Sequence, residues 1–235
     1  FDGVVAGIRT TSSTAPVSDS NVNVEITNNE FIDDDTAWFV EDNLDVLELN
    51  EVLNNQGNTF DQAVVVKDSS GDITSNKIRS SIQSTVDAAS SDQTVAVEPG
   101  TYNESVEITT DNITLMGNGS PTIIGVGTSE GSQPHAAIHV DDGSGPVRNV
   151  SIEGFTVENP DGKYGIFAGT GTTNSNSDGI GGLVIRDNVV QNISTNSTGG
   201  ALTGGPTGIG IRGDYGTNGN PGIEIDSNVI NNVQN

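Results

Sequence analysis

The segment Leu183–Val190 reads Leu-Val-Ile-Arg-Asp-Asn-Val-Val, and the same pattern occurs twice more in the chain. It returns as Ile-Glu-Ile-Asp-Ser-Asn-Val-Ile at Ile223–Ile230 and as Val-Glu-Ile-Thr-Asn-Asn-Glu-Phe at Val24–Phe31. Val150–Val157 keeps the frame with phenylalanine at the asparagine position, and Leu115–Asn118 keeps the spacing. Four of these segments place an asparagine three residues after the central isoleucine or leucine: Asn29, Asn118, Asn188 and Asn228. Such repetition indicates a fold built from stacked structural repeats.

A second short pattern alternates with the first. It is a small residue followed by isoleucine, at Gly7–Arg9, Ala137–His139, Gly165–Phe167 and Gly208–Arg212. A coil of parallel strands requires a strand, then a corner that tolerates left-handed backbone, then another strand. We therefore expect each turn of the coil to contain both patterns, with the four asparagines as its corners.

The apolar composition favours the same architecture. The chain has 235 residues, among them 25 valines and 21 isoleucines but only 7 leucines. Side chains that branch at Cβ fit pleated strands better than helices, so the protein is predicted to be mostly β. There is no cysteine, and burial of apolar side chains must therefore stabilise the fold without disulfides.

One stretch departs from the strand pattern. Ile78, Ile82, Val86 and Ala89 recur at helical spacing, which predicts a short amphipathic helix over about residues 77–90, with Asn76 as its N-cap. Residues 94–108 follow as strand, Pro-Gly turn and strand.

Three motifs in this region resemble the start of a right-handed parallel β-helix of the pectate-lyase-like superfamily. They are Pro99–Glu104 (Pro-Gly-Thr-Tyr-Asn-Glu), Leu115–Gly119 (Leu-Met-Gly-Asn-Gly) and Thr122–Ile124 (Thr-Ile-Ile). The resemblance implies an all-β solenoid whose first rung is closed by the short helix. It also implies two modules: residues 1–72 would be the terminal coils of a preceding β-helix, and residues 73–235 a second one with rungs from about residue 94. Tyr102 and Glu104 are interpreted as turn and capping residues.

The charge of the chain restricts its partners and its environment. There are 32 acidic and 8 basic residues, which gives a formal charge of −24 and repels both nucleic acid and anionic lipid. The scattered carboxylates resemble the composition of haloarchaeal proteins, because about 1 M salt shortens the Debye length to about 3 Å and screens their repulsion. We expect an extracellular, cell-surface location at high salt, with no membrane insertion by this segment. An acidic secreted protein of ordinary salinity is the alternative.

The resemblance leaves open whether the chain is an enzyme, because proteins of this fold include lyases, hydrolases and inert surface proteins. The aspartate, glutamine and arginine series of pectin methylesterases and the Gly-Asp-Asp and Gly-His-Gly series of polygalacturonases do not occur here. A calcium-dependent lyase would need carboxylates and a basic residue beside the uronate. The candidates for that chemistry are Arg186, Asp187, Arg212 and Asp214. Strand alternation points both arginines outward, which favours surface ion pairs instead.

Two acidic clusters are candidate calcium ligands: Asp33, Asp34 and Asp35, and Asp141 with Asp142. Neither has the alternating oxygen spacing of a helical calcium loop, so solvated turns are the competing interpretation. No cofactor is required by the sequence, although calcium is possible.

Several Asn-x-Ser/Thr sequons suggest an exported glycoprotein. The candidate acceptors are Asn103, Asn112, Asn149, Asn192 and Asn196, with Asn118 also in a sequon but at an expected corner. We predict a structural module of a cell-surface, filament or virion protein that binds copies of itself or neighbouring surface proteins. The alternatives are a polysaccharide lyase or depolymerase and a non-catalytic glycan-binding adhesin.

Overall fold

The computed structural model describes residues 6–9, 26–32, 38–41, 52–54, 57–75, 77–126, 135–141, 148–169, 181–194, 205–211 and 222–234. These residues are mostly β-strand, as the composition predicts. The helical pieces are residues 52–54 and the helix Ile82–Val86, called the short helix below. The strands are β1 Ala6–Arg9, β2 Glu30–Phe31, β3 Trp38–Glu41, β4 Thr59–Phe60, β5 Val64–Lys67, β6 Lys77–Arg79, β7 Thr94–Val97, β8 Thr101–Asn103, β9 Val106–Ile108, β10 Thr114–Gly117, β11 Thr122–Ile124, β12 Ala136–Val140, β13 Ser151–Glu153, β14 Thr156–Asn159, β15 Tyr164–Ala168, β16 Val184–Arg186, β17 Val189–Ser194, β18 Thr207–Ile211, β19 Glu224–Asp226, β20 Val229–Ile230 and β21 Val233–Gln234.

From β7 onward the strands stack in three parallel series. The first series is β7, β10, β13, β16 and β19; the second is β8, β11, β14, β17 and β20; the third is β9, β12, β15 and β18. Each series receives one strand from each successive turn of the chain. We call one strand from each series a rung, so that β10, β11 and β12 form one rung. The parallel, repeated strands confirm the solenoid-like part of the fold prediction.

Residues at equivalent positions of the sequence repeats lie opposite one another in paired strands. Each series has a column of inward side chains, one from each rung. The three columns are Val95, Leu115, Ile152, Ile185 and Ile225; Tyr102, Ile123, Val157, Val190 and Ile230; and Val106, Ile138, Ile166 and Ile209. Most of these side chains belong to one buried apolar cluster. Burial of stacked aliphatic columns, at about 25 cal/mol per Å² of apolar surface, is the main stabilising term.

At three of the four predicted corners the left-handed residue lies one position before the asparagine. Asp187 (φ 57°) precedes Asn188, Ser227 (φ 55°) precedes Asn228 and Asn28 (φ 54°) precedes Asn29. At Asn118 the left-handed residues follow the asparagine instead, as Gly119 (φ 66°) and Ser120 (φ 60°). Gly154 holds the same place as Asp187 with φ 82°, where an added Cβ would lie 2.5 Å from Gly117 O. The asparagine at the predicted corner is therefore free to turn its amide toward the neighbouring rung.

The short helix begins at Ile82, later than the hydrophobic spacing predicts. Ser81 is its N-cap, with the Oγ accepting a hydrogen bond from Ser84 N at 3.1 Å. Lys77–Arg79 instead forms β6, which pairs antiparallel with β3 and β5. Ile78 is fully buried in a second apolar cluster, so pairing and burial outweigh the helical pattern there.

The residues before the predicted boundary near residue 73 combine parallel and antiparallel pairings. β1 pairs parallel with β3, and β2 pairs parallel with β4. β5 pairs antiparallel with β7, so β5 covers the first rung of the parallel stack. Val64 and Val66 of β5 belong to the same buried apolar cluster as the inward columns. These strands and the first series of the parallel stack therefore form one continuous sheet, in the order β1-β3-β6-β5-β7-β10-β13-β16-β19.

No helix in the described part of the chain has the length and apolar character needed to cross a membrane.

Candidate surfaces and polar ladders

Asn188 closes a corner with a buried amide. Its Nδ2 donates to Ile152 O at 3.0 Å, and its Oδ1 accepts from Phe155 N at 3.0 Å. Asn228 repeats the arrangement one rung later, with its Nδ2 donating to Ile185 O at 2.7 Å. A side-chain amide therefore satisfies backbone groups that the turn leaves without a strand partner.

Asn29 takes part in the same kind of link near the start of the chain. Asn29 N donates to Asn58 Oδ1 at 3.0 Å, and Asn58 Nδ2 donates to Ile26 O at 2.7 Å. Asn118 differs, because its Nδ2 donates to the Glu98 carboxylate at 2.8 Å. The predicted asparagines thus share a sequence position but not a single set of partners.

A second asparagine ladder lies at the other corner of the first strand series. Asn112 and Asn149 both have left-handed backbone, and Asn149 Nδ2 donates to Asn112 Oδ1 at 2.8 Å. Asn112 Nδ2 in turn donates to Ser91 Oγ at 2.8 Å. Asn192 and Asn232 form a third left-handed pair, in which Asn232 Nδ2 donates to Asn192 Oδ1. The spacing of asparagines in the sequence did not reveal these two ladders.

The motif Pro99–Glu104 joins the first rung to the short helix. Glu104 Oε1 accepts from Ile82 N at 2.7 Å, and Oε2 accepts from Gln83 N and Ser81 Oγ, both at 2.9 Å. Ile82 and Gln83 supply N–H groups of the helix start that have no partner within the helix, and the third donor is the hydroxyl of the N-cap Ser81. A carboxylate stabilises such a helix start. The capping role expected for Glu104 matches this geometry.

Tyr102 of the same motif is buried in the first rung. Its hydroxyl accepts from Ala63 N at 3.0 Å and donates to Glu98 O at 2.9 Å. Burial raises the pKa of the Tyr102 hydroxyl well above its ordinary value, partly offset by the hydrogen bond from Ala63 and supported by the negative charge of Glu98. Tyr102 therefore links the strand-rich first part of the chain to the solenoid core.

Arg186 lies on the outer side of β16 and forms an ion pair with the preceding rung. Its Nε donates to Glu153 Oε2 at 2.6 Å, and β13 and β16 place the two residues directly opposite each other. The hydrogen bond to Glu153, together with its charge, raises the pKa of Arg186. The adjacent Asp187 forms the corner instead of pairing with Arg186. Arg212 and Asp214 lie outside the described residues.

The candidate calcium ligands do not assemble within the described part of the chain. Asp141 is buried, and its Oδ2 lies 3.9 Å from His139 Nε2. No group of three His, Asp or Glu residues there is arranged to hold a metal ion. Asp142 and the cluster Asp33, Asp34 and Asp35 lie outside the described residues.

A covered aromatic surface lies on the outer side of the third strand series, and the sequence analysis did not predict it. We call Ala136, His139, Tyr164 and Phe167 the outer aromatic face. The rings of Tyr164 and Phe167 lie 4.6 Å apart between centroids, and those of His139 and Phe167 lie 5.6 Å apart. All four residues are buried. His139 and Phe167 alternate along β12 and β15 with the inward Ile138 and Ile166. Ala136 and Tyr164 lie two positions before those isoleucines, so alternation in the sequence could have indicated only His139 and Phe167 as outer residues.

Charged groups border the outer aromatic face. His139 Nε2 lies 3.0 Å from Gly169 O; because a carbonyl only accepts, this nitrogen carries the hydrogen. His139 Nδ1 lies 3.7 Å from Glu107 Oε1 on β9. Lys163 Nζ lies 5.4 Å from the Tyr164 ring centroid, and partial burial lowers the pKa of Lys163. The face therefore combines flat apolar surface with both signs of charge.

A polar cavity of about 280 Å³ lies beside β5 and the residues that follow the short helix. Its wall includes Thr74, Ser90, Gln93 and the buried Arg79. Gln93 Nε2 donates to Thr74 Oγ1 at 3.0 Å, and Gln93 Oε1 accepts from Ser90 N at 2.7 Å. These polar groups of the wall hydrogen-bond one another.

The glycosylation candidates differ in exposure. Asn103 is exposed at the end of β8, Asn149 is exposed in its ladder, and Asn112 and Asn192 are half-buried. Asn196 lies outside the described residues.

Comparisons with models of known protein families, with curated proteins and with solved structures found no match.

Proposed function

We propose that this chain is a structural module of an extracellular surface assembly, built as a right-handed parallel β-helix of the pectate-lyase-like kind. Three apolar columns and the asparagine ladders support a stiff rod, since each rung is fixed both by burial and by hydrogen bonds to its neighbours. The charge of −24 supports a location at high salt of the haloarchaeal type, as in the sequence analysis.

The observation that carries the proposal is the regular stack of rungs. From β7 to β20 the rungs pair in parallel, and their inward side chains form the apolar columns of one core. Ile225 and Ile230 continue two of these columns and are 50% and 51% exposed, and Val229 beside them is 52% exposed. An exposed strand edge with apolar side chains accepts a further rung, whether from a longer chain or from a second copy.

A second copy of this chain is the partner that we propose for this edge. Among the described residues, β1 and β19 are the two edge strands of one nine-stranded sheet, so copies can join end to end by strand pairing.

Sedimentation of the chain in about 2–4 M salt, where charge repulsion is screened, tests this proposal. The wild-type protein from a host without N-glycosylation should associate as its concentration rises, and electron microscopy should show linear particles. Val229→Lys with Ile230→Lys should reduce association at least tenfold. Val126→Lys is the matched control, because Val126 is 44% exposed but lies on an internal rung. A wild-type chain that stays monomeric at all concentrations would contradict the proposal.

A glycan-binding adhesin is the non-catalytic alternative, and the outer aromatic face gives it little support. Aromatic rings stack on the apolar faces of sugars when they are exposed, whereas Tyr164 and Phe167 are both buried. Binding to a glycan array that disappears in Phe167→Ala and survives in Arg186→Ala would favour this candidate.

A polysaccharide lyase receives less support from the geometry. A catalytic base must be unprotonated before it accepts the substrate's proton, and the contact with Glu153 raises the pKa of Arg186. Incubation with uronate polymers and calcium, followed by a search for unsaturated ends, tests the lyase. Formation of such ends, lost in Arg186→Ala, would instead support the lyase.

A further inference from the structure

The asparagine ladders bear on which sequon can accept a glycan. N-linked glycosylation replaces one of the two hydrogens on the side-chain nitrogen of asparagine. This Nδ2 must therefore be accessible, and hydrogen bonds that hold it against a neighbouring rung hinder the reaction. In the described part of the chain, five sequons occur, at Asn103, Asn112, Asn118, Asn149 and Asn192.

Three of these nitrogens already donate hydrogen bonds. Asn112 Nδ2 donates to Ser91, Asn118 Nδ2 to Glu98 and Asn149 Nδ2 to Asn112, each at 2.8 Å. A glycan on either Asn112 or Asn149 would break the ladder that joins two rungs.

Asn192 is restricted in a different way. Its Oδ1 accepts from Asn232, and the middle residue of its sequon, Ile193, is fully buried in the core. The hydroxyl of Ser194, the third residue, donates to Pro160 O. Modification at Asn192 would require this strand to leave the sheet.

Asn103 has none of these restrictions. It and Ser105 are exposed at the bend between β8 and β9, and Glu104 between them is half-buried with its carboxylate directed to the short helix. No hydrogen bond among the described residues involves the Asn103 side chain. Asn103 follows the inward Tyr102 along β8, so alternation places its side chain on the outer side of the stack.

We infer that Asn103 is an N-glycosylation site, an inference that rests on the proposed extracellular location. Asn103 Nδ2 attacks the anomeric carbon of a lipid-linked oligosaccharide and loses a proton. The bond between that carbon and the lipid phosphate oxygen breaks, and the lipid phosphate leaves. The attached glycan covers the outer side of the first rung, which lies at the opposite end of the stack from β19 and β20.

Secretion of the full chain from a host with N-glycosylation, followed by intact-mass and glycopeptide analysis, tests the inference. The wild type should carry a glycan on the peptide that contains Asn103. Asn103→Gln and Ser105→Ala should lose it, whereas Ser105→Thr, which restores the sequon, should keep it. Asn112→Gln is the matched control and should leave the glycan on Asn103 unchanged.

A secreted wild-type chain without a glycan on Asn103, or with its glycan on Asn112, Asn118, Asn149 or Asn192 instead, would overturn the inference. The assembly proposal is measured on protein that lacks glycans. Failure of assembly and failure of glycosylation at Asn103 are therefore separate results.

Discussion

Asn228 Oδ1 accepts two hydrogen bonds from Asn188, one from the backbone N–H and one from Nδ2, both at 3.1 Å. The register of β16 with β19 brings the two corners into line. A single amide oxygen thus connects one rung to the next. A substitution of Asn228 removes this oxygen and leaves the apolar columns unchanged. The contribution of the polar ladder to rung stacking can therefore be measured separately from that of the columns.

Asn188→Ala should lower the free energy of unfolding by about 3 kcal/mol. The substitution leaves the Phe155 N–H and the Ile152 carbonyl buried without their partner, and each such group costs about 1–3 kcal/mol. Asn228→Ala should cost about 1 kcal/mol, because its rung is exposed to water. Urea titrations at high salt measure both. Equal losses in the two variants would contradict a buried ladder.

Glu104→Ala should destabilise the chain by about 2 kcal/mol, because three hydrogen bonds to a carboxylate are lost at the start of the short helix. Glu104→Gln should recover part of the loss, since its amide oxygen still accepts. Glu107→Ala is the control: its carboxylate is largely exposed on the next strand. Thermal unfolding followed by circular dichroism ranks the three. A Glu107 variant as unstable as the Glu104 variant would argue against the capping role.

Tyr102 should make stability fall at alkaline pH. Its hydroxyl pKa is about 10 in an unfolded chain and is raised in the folded one by burial. The folded state therefore binds the proton more tightly, so this contribution is complete below pH 10 and decreases as pH rises above that value. Tyr102→Phe should remove this part of the slope while lowering stability at all pH values. An unchanged slope above about pH 10 in the variant would contradict the assignment.

Much of the coil could be predicted from the sequence because its repeats are local. Ile138, Ile166 and Ile209 share a column, as their common Gly/Ala-Ile pattern indicates. Within each corner, however, the pattern could not tell which of two adjacent polar residues takes the left-handed conformation. Asp187 takes it, and Asn188, with an amide that both donates and accepts, forms the hydrogen bonds to the neighbouring rung.

Contacts between rungs were harder to predict than the rungs themselves. The partner of Arg186 is Glu153, which is distant in the sequence, and their alignment depends on how much chain each turn diverts into loops. His139 and Phe167 alternate with the inward Ile138 and Ile166, but alternation alone could not show that the outer side of this sheet is covered. The helical pattern from Ile78 was overridden because β6 gains strand partners on both sides.

Salt should stabilise the folded chain, because a formal charge of −24 favours expansion when the charges are unscreened. Raising KCl from about 0.1 M to about 1 M shortens the Debye length from about 10 Å to about 3 Å. The thermal midpoint should therefore rise by about 10 °C, the shift expected for about 2–4 kcal/mol in a chain of this size. Sucrose is the control, since it favours the compact state without screening charge. If the midpoint is the same at both salt concentrations, or if sucrose reproduces the whole effect, repulsion among the carboxylates is not what limits stability at low salt.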